Sequence, residues 1–412
     1  MKNSTRLRSL AAVLTTFAIS SLSATIVFPI LAPLFLSSTD SIISSSSPQY
    51  VRAILLGFFL ASFPLAQFLL SPLIGEFADR KGRKQAFLIT LMLEVIGYGL
   101  AAYGIMKLNL ILLFLGRFIT GLAAGNMSVC LATIVDLSPN EKTKVKYFSY
   151  GSAVVGVMFV LGPFIGGKLS DPTINPLFTK DFPMWIGTGL AVVNLMVMWT
   201  LFKETLEVKS EEAFHPMQAL NNIALAFRTK QVRDLYIIYF FFLFSWNMIY
   251  QFIPALMVEI FSSTSSVIGD VSAMMGLVWI LGTISLSFLI HTKLKIKNFL
   301  FFAFILFSFT AILIPIPHKL IFFLIIVSIS VFFAGAMWPI FTGAISNAAD
   351  QAIQGKVLGL SQSVQSLSMM LAPFLGGFFL QAHTSVPFAV SAISALIAAG
   401  LLTKTKSHLL QV

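Results

Sequence analysis

Long, unbroken apolar stretches alternate with short polar links along this chain. A helix needs about 20 apolar residues to cross the hydrocarbon core of a bilayer. The stretches do not alternate apolar with polar residues, and this excludes membrane barrel strands. The pattern predicts an all-α polytopic membrane protein with twelve spans, near residues 10–36, 51–74, 85–106, 108–135, 147–169, 184–202, 235–259, 267–290, 298–316, 320–347, 357–381 and 387–403.

The first stretch follows Lys2, Arg6 and Arg8, and basic residues before an apolar stretch are typical of a signal peptide. It is too long for one, because it continues through Pro29 and Pro33. We expect it to be retained as the first span.

Composition and charge agree with a membrane protein. Of 412 residues, 57% are hydrophobic and 10% are charged, and the mean hydropathy is +0.90. With the N-terminus in the cytoplasm, 21 of the 27 Lys and Arg residues lie on the cytoplasmic side, five lie outside and Arg117 lies within a span. The positive-inside rule thus predicts that both termini are cytoplasmic. The net charge of +11 follows from this orientation and needs no nucleic-acid partner.

Residues suited to catalysis or to cofactor binding are scarce. Cys130 is the one cysteine, which excludes an intramolecular disulfide, and the five histidines lie in polar links or at span ends without metal-ligand spacing. No span offers a nucleophile with a base, and no phosphate-binding loop is present. We predict no metal, no cofactor and no enzymatic activity.

An internal repeat divides the chain into two halves. The hexapeptide at 162–167, Gly-Pro-Phe-Ile-Gly-Gly, recurs at 372–377 as Ala-Pro-Phe-Leu-Gly-Gly, and the longest polar stretch lies between the sixth and seventh spans. We predict two pseudo-symmetric six-helix bundles, at 1–202 and 235–412, joined by a cytoplasmic linker at 203–234.

The link at 75–84 carries six charges and two glycines, with Gly75 and Gly82 expected to allow close helix approach and unusual backbone angles. One interpretation is a loop that only fixes orientation. Its order, Gly-x-x-x-Asp-Arg-x-Gly-Arg-Lys, favours a specific role. Together with the division into two halves, this motif makes the whole chain resemble the major facilitator superfamily. Members of that family are transporters built from parallel repeats around a midplane site.

Three further motifs support this resemblance. Arg117-x-x-x-Gly121-x-x-x-Gly125 is similar to a fourth-span element of the family, and Pro29-x-x-x-Pro33 is similar to a first-span element. The fifth span, with Gly156 and the hexapeptide at 162–167, resembles the antiporter signature of the twelve-span drug/proton antiporters.

The resemblance implies a latch on the cytoplasmic side. Arg83 is expected near Asp136, and Asp79 is expected to face the start of the eleventh span near 355–359. The predicted latch residues are Gly75, Asp79, Arg80, Gly82, Arg83, Lys84 and Asp136.

Glu94 and Arg117 are the two charges within spans, where an ion is costly. Arg117 is either a cavity residue coupled to protonation or a packing residue bonded to carbonyls. Glu94 is either a proton carrier or a structural bond to a neighbouring helix. Polar and aromatic residues of other spans could line the same cavity. These are Asn126, Trp246, Tyr250, Gln251 and Trp338.

Small residues let helices approach closely, and prolines allow bending. We expect those of the fifth and eleventh spans at the interface between the halves, and the fourth-span glycines at helix contacts. The set is Gly121, Gly125, Gly162, Pro163, Gly166, Gly167, Pro373, Gly376 and Gly377.

These observations predict a monomeric secondary transporter of a small organic molecule, working by proton-coupled efflux. The first span has no Asp or Glu, unlike many drug/proton antiporters, and this keeps open the uptake of an anionic metabolite or carboxylate siderophore. A channel or an intramembrane enzyme is less favoured, because the chain shows internal duplication and offers neither a filter nor a catalytic group.

Overall fold

The computed structural model describes residues 3–37, 41–44, 46–206, 232–289, 295–347 and 354–405, so most of the predicted linker lies outside the described residues. These residues contain twelve spans, as predicted. Numbered in chain order, spans 1 to 12 are Asn3–Ile26 with Phe28–Leu36, Gln49–Lys81, Arg83–Met106, Leu110–Ala123 with Asn126–Leu137, Glu141–Leu169, Phe182–Leu201, Arg233–Phe261, Ser265–Leu289, Ile296–Leu313, Leu320–Asn347, Gln354–Leu380 and Val386–Lys404.

Spans 1 and 4 are each interrupted. The first helix of span 1 ends at Ile26, and Pro29 lies in the first turn of the next helix, where its missing N–H is tolerated. In span 4 the break falls at Ala124 and Gly125. The sequence did not predict these breaks. The apolar runs continue through them, and hydrophobicity alone does not indicate where the backbone hydrogen bonds of a helix end.

The two halves repeat the same helix packing. Span 1 packs on spans 5 and 6, span 2 on span 4, and span 3 on spans 4 and 6. The second half repeats each of these contacts six spans later, as 7 on 11 and 12, 8 on 10, and 9 on 10 and 12. Span 2 meets span 11 and span 5 meets span 8 across the halves, as a pseudo-twofold axis requires.

Large apolar side chains cover the outer faces of the helices. Ile111 is 72% exposed and Trp199 is 67% exposed, which suits a hydrocarbon environment. At one end of the bundle the backbone N–H of Lys203 donates to Ser9 Oγ at 3.2 Å, near the turn at Gly82. We call this the motif end and the opposite end the far end.

Candidate functional site

Arg83 is the centre of an ionic network at the motif end, and its side chain is 8% exposed. Its Nε lies 3.0 Å from Asp136 Oδ2, and its Nη1 lies 2.5 Å from Asp79 Oδ1. One guanidinium at the start of span 3 therefore joins the end of span 2 to the end of span 4 through charge-assisted hydrogen bonds. The predicted proximity of Arg83 and Asp136 is confirmed.

The segment at 75–84 is mostly helical, contrary to its interpretation as a link. Span 2 runs to Lys81, and Gly82, with φ of +110°, is the single residue that turns the chain into span 3. Only glycine adopts this backbone conformation readily. A methyl group on Gly75 would meet Ser128 Oγ at 3.7 Å, an ordinary contact, so Gly75 is not at a close helix approach.

Asp79 is half exposed, at 52%, and bonds to Arg83. Its expected contact with the start of span 11 stays a prediction, because the side chains of residues 354–356, 358 and 359 lie outside what the structure describes.

Glu204, just past span 6, caps the N-terminus of span 3. Its Oε1 accepts from the backbone N–H of Arg83 and its Oε2 from that of Lys84, both at 3.0 Å. Burial opposes ionisation, but these bonds and those from the N–H groups of Leu206 and Thr205 hold the pKa of Glu204 below its usual range. The charged cap is therefore present at neutral pH and lost only as the pH falls through that lowered value.

The start of the linker is thus fastened to the motif. The Thr205 hydroxyl donates to Asp136 Oδ2 at 3.2 Å, and Lys84 Nζ donates to the carbonyls of Trp199 and Phe202 at 2.9 Å. Arg80 is half-buried and takes no part in this network among the described residues.

Glu204→Gln should lower the free energy of unfolding by about 1 kcal/mol, since a neutral amide is a weaker cap than a carboxylate. Thermal melting of the purified protein at pH 7 measures this. Glu141→Gln is the matched control, because Glu141 lies in the first turn of span 5 with its side chain 85% exposed. An equal loss in both variants would contradict the capping role.

Glu94 lies in a buried polar cluster where spans 1, 3 and 4 meet. Its Oε1 accepts from Asn126 Nδ2 at 2.7 Å, and its Oε2 accepts from Ser20 Oγ at 3.1 Å. Asn126 Nδ2 also donates to Ser20 Oγ at 3.0 Å. Glu94 is 4% exposed and Asn126 is 2% exposed, so both carboxylate oxygens are satisfied away from solvent.

Arg117 is paired differently. Its guanidinium carbon lies 4.6 Å from the centre of the Phe63 ring, a cation–π contact between spans 4 and 2. Its Nε and Nη1 are buried and have no hydrogen-bond partner among the described residues. The interpretation as a packing residue bonded to carbonyls therefore does not apply to these two atoms.

Aromatic residues of the second half form a continuous chain of ring contacts. Trp246 stacks on Tyr250 at 5.6 Å and meets Trp279 at 4.7 Å, and Trp279 meets Trp338 at 5.8 Å. Phe28 of span 1 stacks on Tyr250 at 4.5 Å. The structure thus brings together three of the four predicted pocket residues of this half, while Gln251 makes none of these ring contacts.

Two close backbone contacts join the halves at the far end. A Cβ on Gly167 of span 5 would lie 2.6 Å from the Ser265 carbonyl oxygen and 2.9 Å from Gly269 Cα in span 8. A Cβ on Gly377 of span 11 would lie 2.7 Å from Gly57 Cα in span 2. Pro163 and Pro373 present their carbonyl oxygens to Gly269 and Gly57 at the same contacts.

The other motif glycines do not lie between the halves. Gly162 and Gly166 pack on Thr25 and Ile26 of span 1, and Gly376 packs on Phe252 of span 7. The expectation is wrong for these three, because successive glycines of one motif point to different neighbours around the helix. Gly121 and Gly125 bring span 4 against span 2, as expected of helix contacts.

The family model described as Major Facilitator Superfamily matches residues 13–364, and also 235–409. The chain belongs to this superfamily. It is therefore an integral, multi-pass membrane protein with the fold of a family of transporters, which are not enzymes.

This facilitator has drug-resistance proteins among its curated relatives. It is 32% identical over 115 residues to the class H tetracycline resistance protein of Pasteurella multocida, covering 28% of each chain. It is 38% identical over 117 residues to the quinolone resistance protein NorA of Staphylococcus aureus, covering 28% of this chain and 29% of NorA. The matched segments thus cover less than a third of the length of each of these two relatives.

Solved structures share the fold over nearly the whole chain. The human organic anion transporter MFSD10 (TETRAN) superposes with a TM-score of 0.69 at 20% identity, covering 96% of this chain and 99% of that one. The D-xylose-proton symporter gives 0.70 at 17% identity, covering 97% of both.

The structure places three residues in the candidate site that the sequence analysis did not predict. Glu204 lies in a polar stretch rich in glutamate, Trp279 lies in an ordinary apolar run, and Ser20 is one of several small residues of span 1. Only Glu204 carried a signal, since it closely follows a span and is positioned to cap another helix.

Proposed function

We propose that this facilitator exports a small organic molecule in exchange for protons by alternating access. The motif end faces the cytoplasm in this proposal, since the positive-inside rule places most of its Lys and Arg residues there. The tetracycline and quinolone resistance relatives support export. The protein acts as a monomer with two halves that rock about a site near the bilayer midplane.

The buried cluster of Glu94, Asn126 and Ser20 carries the proton-coupling part of the proposal. Span 1 has no carboxylate, but Ser20 of span 1 binds the carboxylate that span 3 supplies. Protonation of Glu94 would remove a charge from a buried site and weaken its bonds to spans 1 and 4. A proton could thus change the packing of three spans at once.

Glu94→Gln should abolish transport driven by a pH gradient and leave substrate counterflow, because the amide keeps the size of the side chain and the neutral charge of the protonated acid but cannot release a proton. Proteoliposomes loaded with a panel of drugs and organic anions measure both activities. Glu141→Gln, a change at an exposed acid, should keep both. Pumping by Glu94→Gln with unchanged pH dependence would exclude Glu94 as the proton site, and pH-independent transport by the wild type would exclude proton coupling.

Arg117 favours an anionic cargo within this proposal. Two of its buried nitrogens lack partners within the described part of the chain, and a carboxylate or sulfonate of the cargo would bind them. The structural neighbour MFSD10 is described as an organic anion transporter. Uptake of an anionic metabolite or a carboxylate siderophore is the alternative function that the same observation favours.

Arg117→Gln should raise the KM for an aromatic carboxylate about tenfold or more, since one charge-assisted contact is lost. Transport of the lipophilic cation tetraphenylphosphonium should not weaken. Phe63→Leu is the companion variant, because it removes the ring beneath Arg117 and keeps the guanidinium. An equal loss for anion and cation in Arg117→Gln would contradict an anion site.

A further inference from the structure

Buried polar side chains line the contact between spans 1 and 6, inside the first half. Thr16 bonds to Asn194, and Ser23, two turns further along span 1, faces Gly187, two turns back along span 6. Thr16 is 1% exposed, and Ser23 and Asn194 are 0% exposed. Ser20 of the carboxylate cluster lies between Thr16 and Ser23 on the same helix face. We call these five residues the polar seam.

The Asn194 amide cannot pair both of its polar atoms within the described residues. The single proton of the Thr16 hydroxyl has two acceptors in reach, Asn194 Oδ1 at 3.0 Å and the Ala12 carbonyl oxygen at 3.1 Å. Asn194 Nδ2 has no partner there. If the amide is turned over, its nitrogen donates to Thr16 and its oxygen takes the unpaired position. One polar atom is therefore left over in either orientation, and such buried atoms commonly bind ordered water.

A second unpaired group lies at the other end of the polar seam. Ser23 Oγ is buried and has no hydrogen-bond partner in the described part of the chain. A methyl group added to Gly187 would lie 3.9 Å from Cβ and Oγ of Ser23 and 3.8 Å from Cγ of Tyr98, which are ordinary contacts. The glycine thus leaves room for one more atom beside Ser23. Both features suit a buried water molecule.

Water held at Asn194 is within reach of Ser20. Thr16 and Ser20 are four residues apart, which places them about 6 Å apart along the helix axis. A bridging water spans nearly the same length with two hydrogen bonds of about 2.8 Å each. Ser20 Oγ donates to Glu94 Oε2 and accepts from Asn126 Nδ2, and its second lone pair can accept from water.

We propose that the polar seam holds water and that this water delivers protons to Glu94 through Ser20. This deepens the proposed function and rests on its proton coupling. A protonated water gives one proton to Ser20 Oγ while Ser20 passes its own proton to Glu94 Oε2. The products are a neutral water, an unchanged serine and a neutral carboxylic acid, so no other reactant is needed. Thr16, Asn194 and Ser23 are positioning residues that bind the water.

Few other titratable groups border this path. Span 3 adds Tyr98, one turn from Glu94, and the second helix of span 4 adds Cys130. Arg117, in the first helix of span 4, packs on Phe63 instead. The neighbouring spans 1, 2 and 6 carry no ionisable side chain over their inner residues, 9–36, 53–75 and 182–201. Glu94 is therefore the acceptor to which water in the polar seam leads.

Infrared difference spectra after a step to lower pH test this proposal with water and protons as the only ligands. The full chain is held in nanodiscs. The C=O band of protonated Glu94, identified by its absence in Glu94→Gln, reports proton arrival, and an O–H band that shifts in heavy-oxygen water reports the bound water. Asn194→Leu should remove the water band and slow the C=O band about tenfold or more, since a buried hydrogen-bonding partner is lost. Asn194→Ser, which keeps a hydroxyl for water, should recover most of the rate.

Gly187→Ala separates a water site from simple packing of spans 1 and 6, which is the competing explanation. Its methyl group occupies the room beside Ser23 without a clash, so it should slow the C=O band and keep the melting temperature. Gly189→Ala is the matched control in span 6, because nothing lies within 4 Å of its new methyl group, and it should change neither.

Unchanged rates in both Asn194→Leu and Gly187→Ala, or equal slowing in Gly187→Ala and Gly189→Ala, would overturn the polar seam as a proton path. Proton coupling itself is tested by the wild type in the same experiment. If the wild type showed no C=O band that Glu94→Gln lacks, the proton-coupling part of the proposed function would fail.

Discussion

Gly167→Ala should open the far end of the bundle and reduce transport by about tenfold to 100-fold. The new Cβ would lie 2.6 Å from the Ser265 carbonyl oxygen and 2.9 Å from Gly269 Cα, and backbone atoms cannot swing away as a long side chain can. Relief requires the two halves to separate. Overpacking of this kind costs about 1–3 kcal/mol, which corresponds to that change in the closed population.

Gly377→Ala should act in the same way from the other side, because its Cβ would meet Gly57 Cα at 2.7 Å. Distances between spin labels at the far end measure both variants, with labels on cysteines placed at Lys107 and Ile316 and with Cys130 replaced by Ala. Gly156→Ala is the matched control in span 5, since nothing lies within 4 Å of its new methyl group. Unchanged distances in Gly167→Ala, or an equal change in Gly156→Ala, would contradict a tight fit between the halves.

Gly166→Ala separates gating from folding. Gly166 packs on the Ile26 backbone within its own half, so its extra methyl should lower thermal stability without favouring the open state. Substitutions of the adjacent residues Gly166 and Gly167 are thus expected to have different effects.

The number of spans, the repeat and the family were predictable from the sequence, because a helix in a bilayer needs a long apolar run and a duplicated scaffold keeps its motif residues. The neighbouring span that each glycine contacts was not predictable. Gly166 and Gly167 are adjacent, and the roughly 100° between them sends one to span 1 and the other to span 8.

The site was predictable only where the family resemblance itself implied the contact. The proximity of Arg83 to Asp136 followed from family resemblance, whereas the bonds of Glu94 to Ser20 and Asn126 join residues 74 and 32 positions away. Such contacts depend on which helix faces pack together. Likewise, Trp279 became part of the aromatic chain because of the position of span 8, and nothing in its local sequence distinguishes it from a lipid-facing tryptophan.

Arg83→Ala should lower the free energy of unfolding by about 2 kcal/mol and impair transport. Removing one partner of a buried pair costs about 3–5 kcal/mol because the other charge is left unpaired. Asp136 and Asp79 are 20% and 52% exposed, so water recovers part of this cost. Arg83→Lys should restore little, since one ammonium cannot reproduce the two directed bonds of Nε and Nη1.

Arg80→Ala is the matched control, because it removes the same charge from the same segment three residues earlier, outside the described network. Thermal melting and transport, measured together, distinguish the two positions. If the motif only set orientation by its positive charge, both variants would behave alike. The ionic network requires instead that Arg83→Ala be the more damaging, and that Asp136→Asn share most of its effect, because both changes break the same 3.0 Å contact between spans 3 and 4.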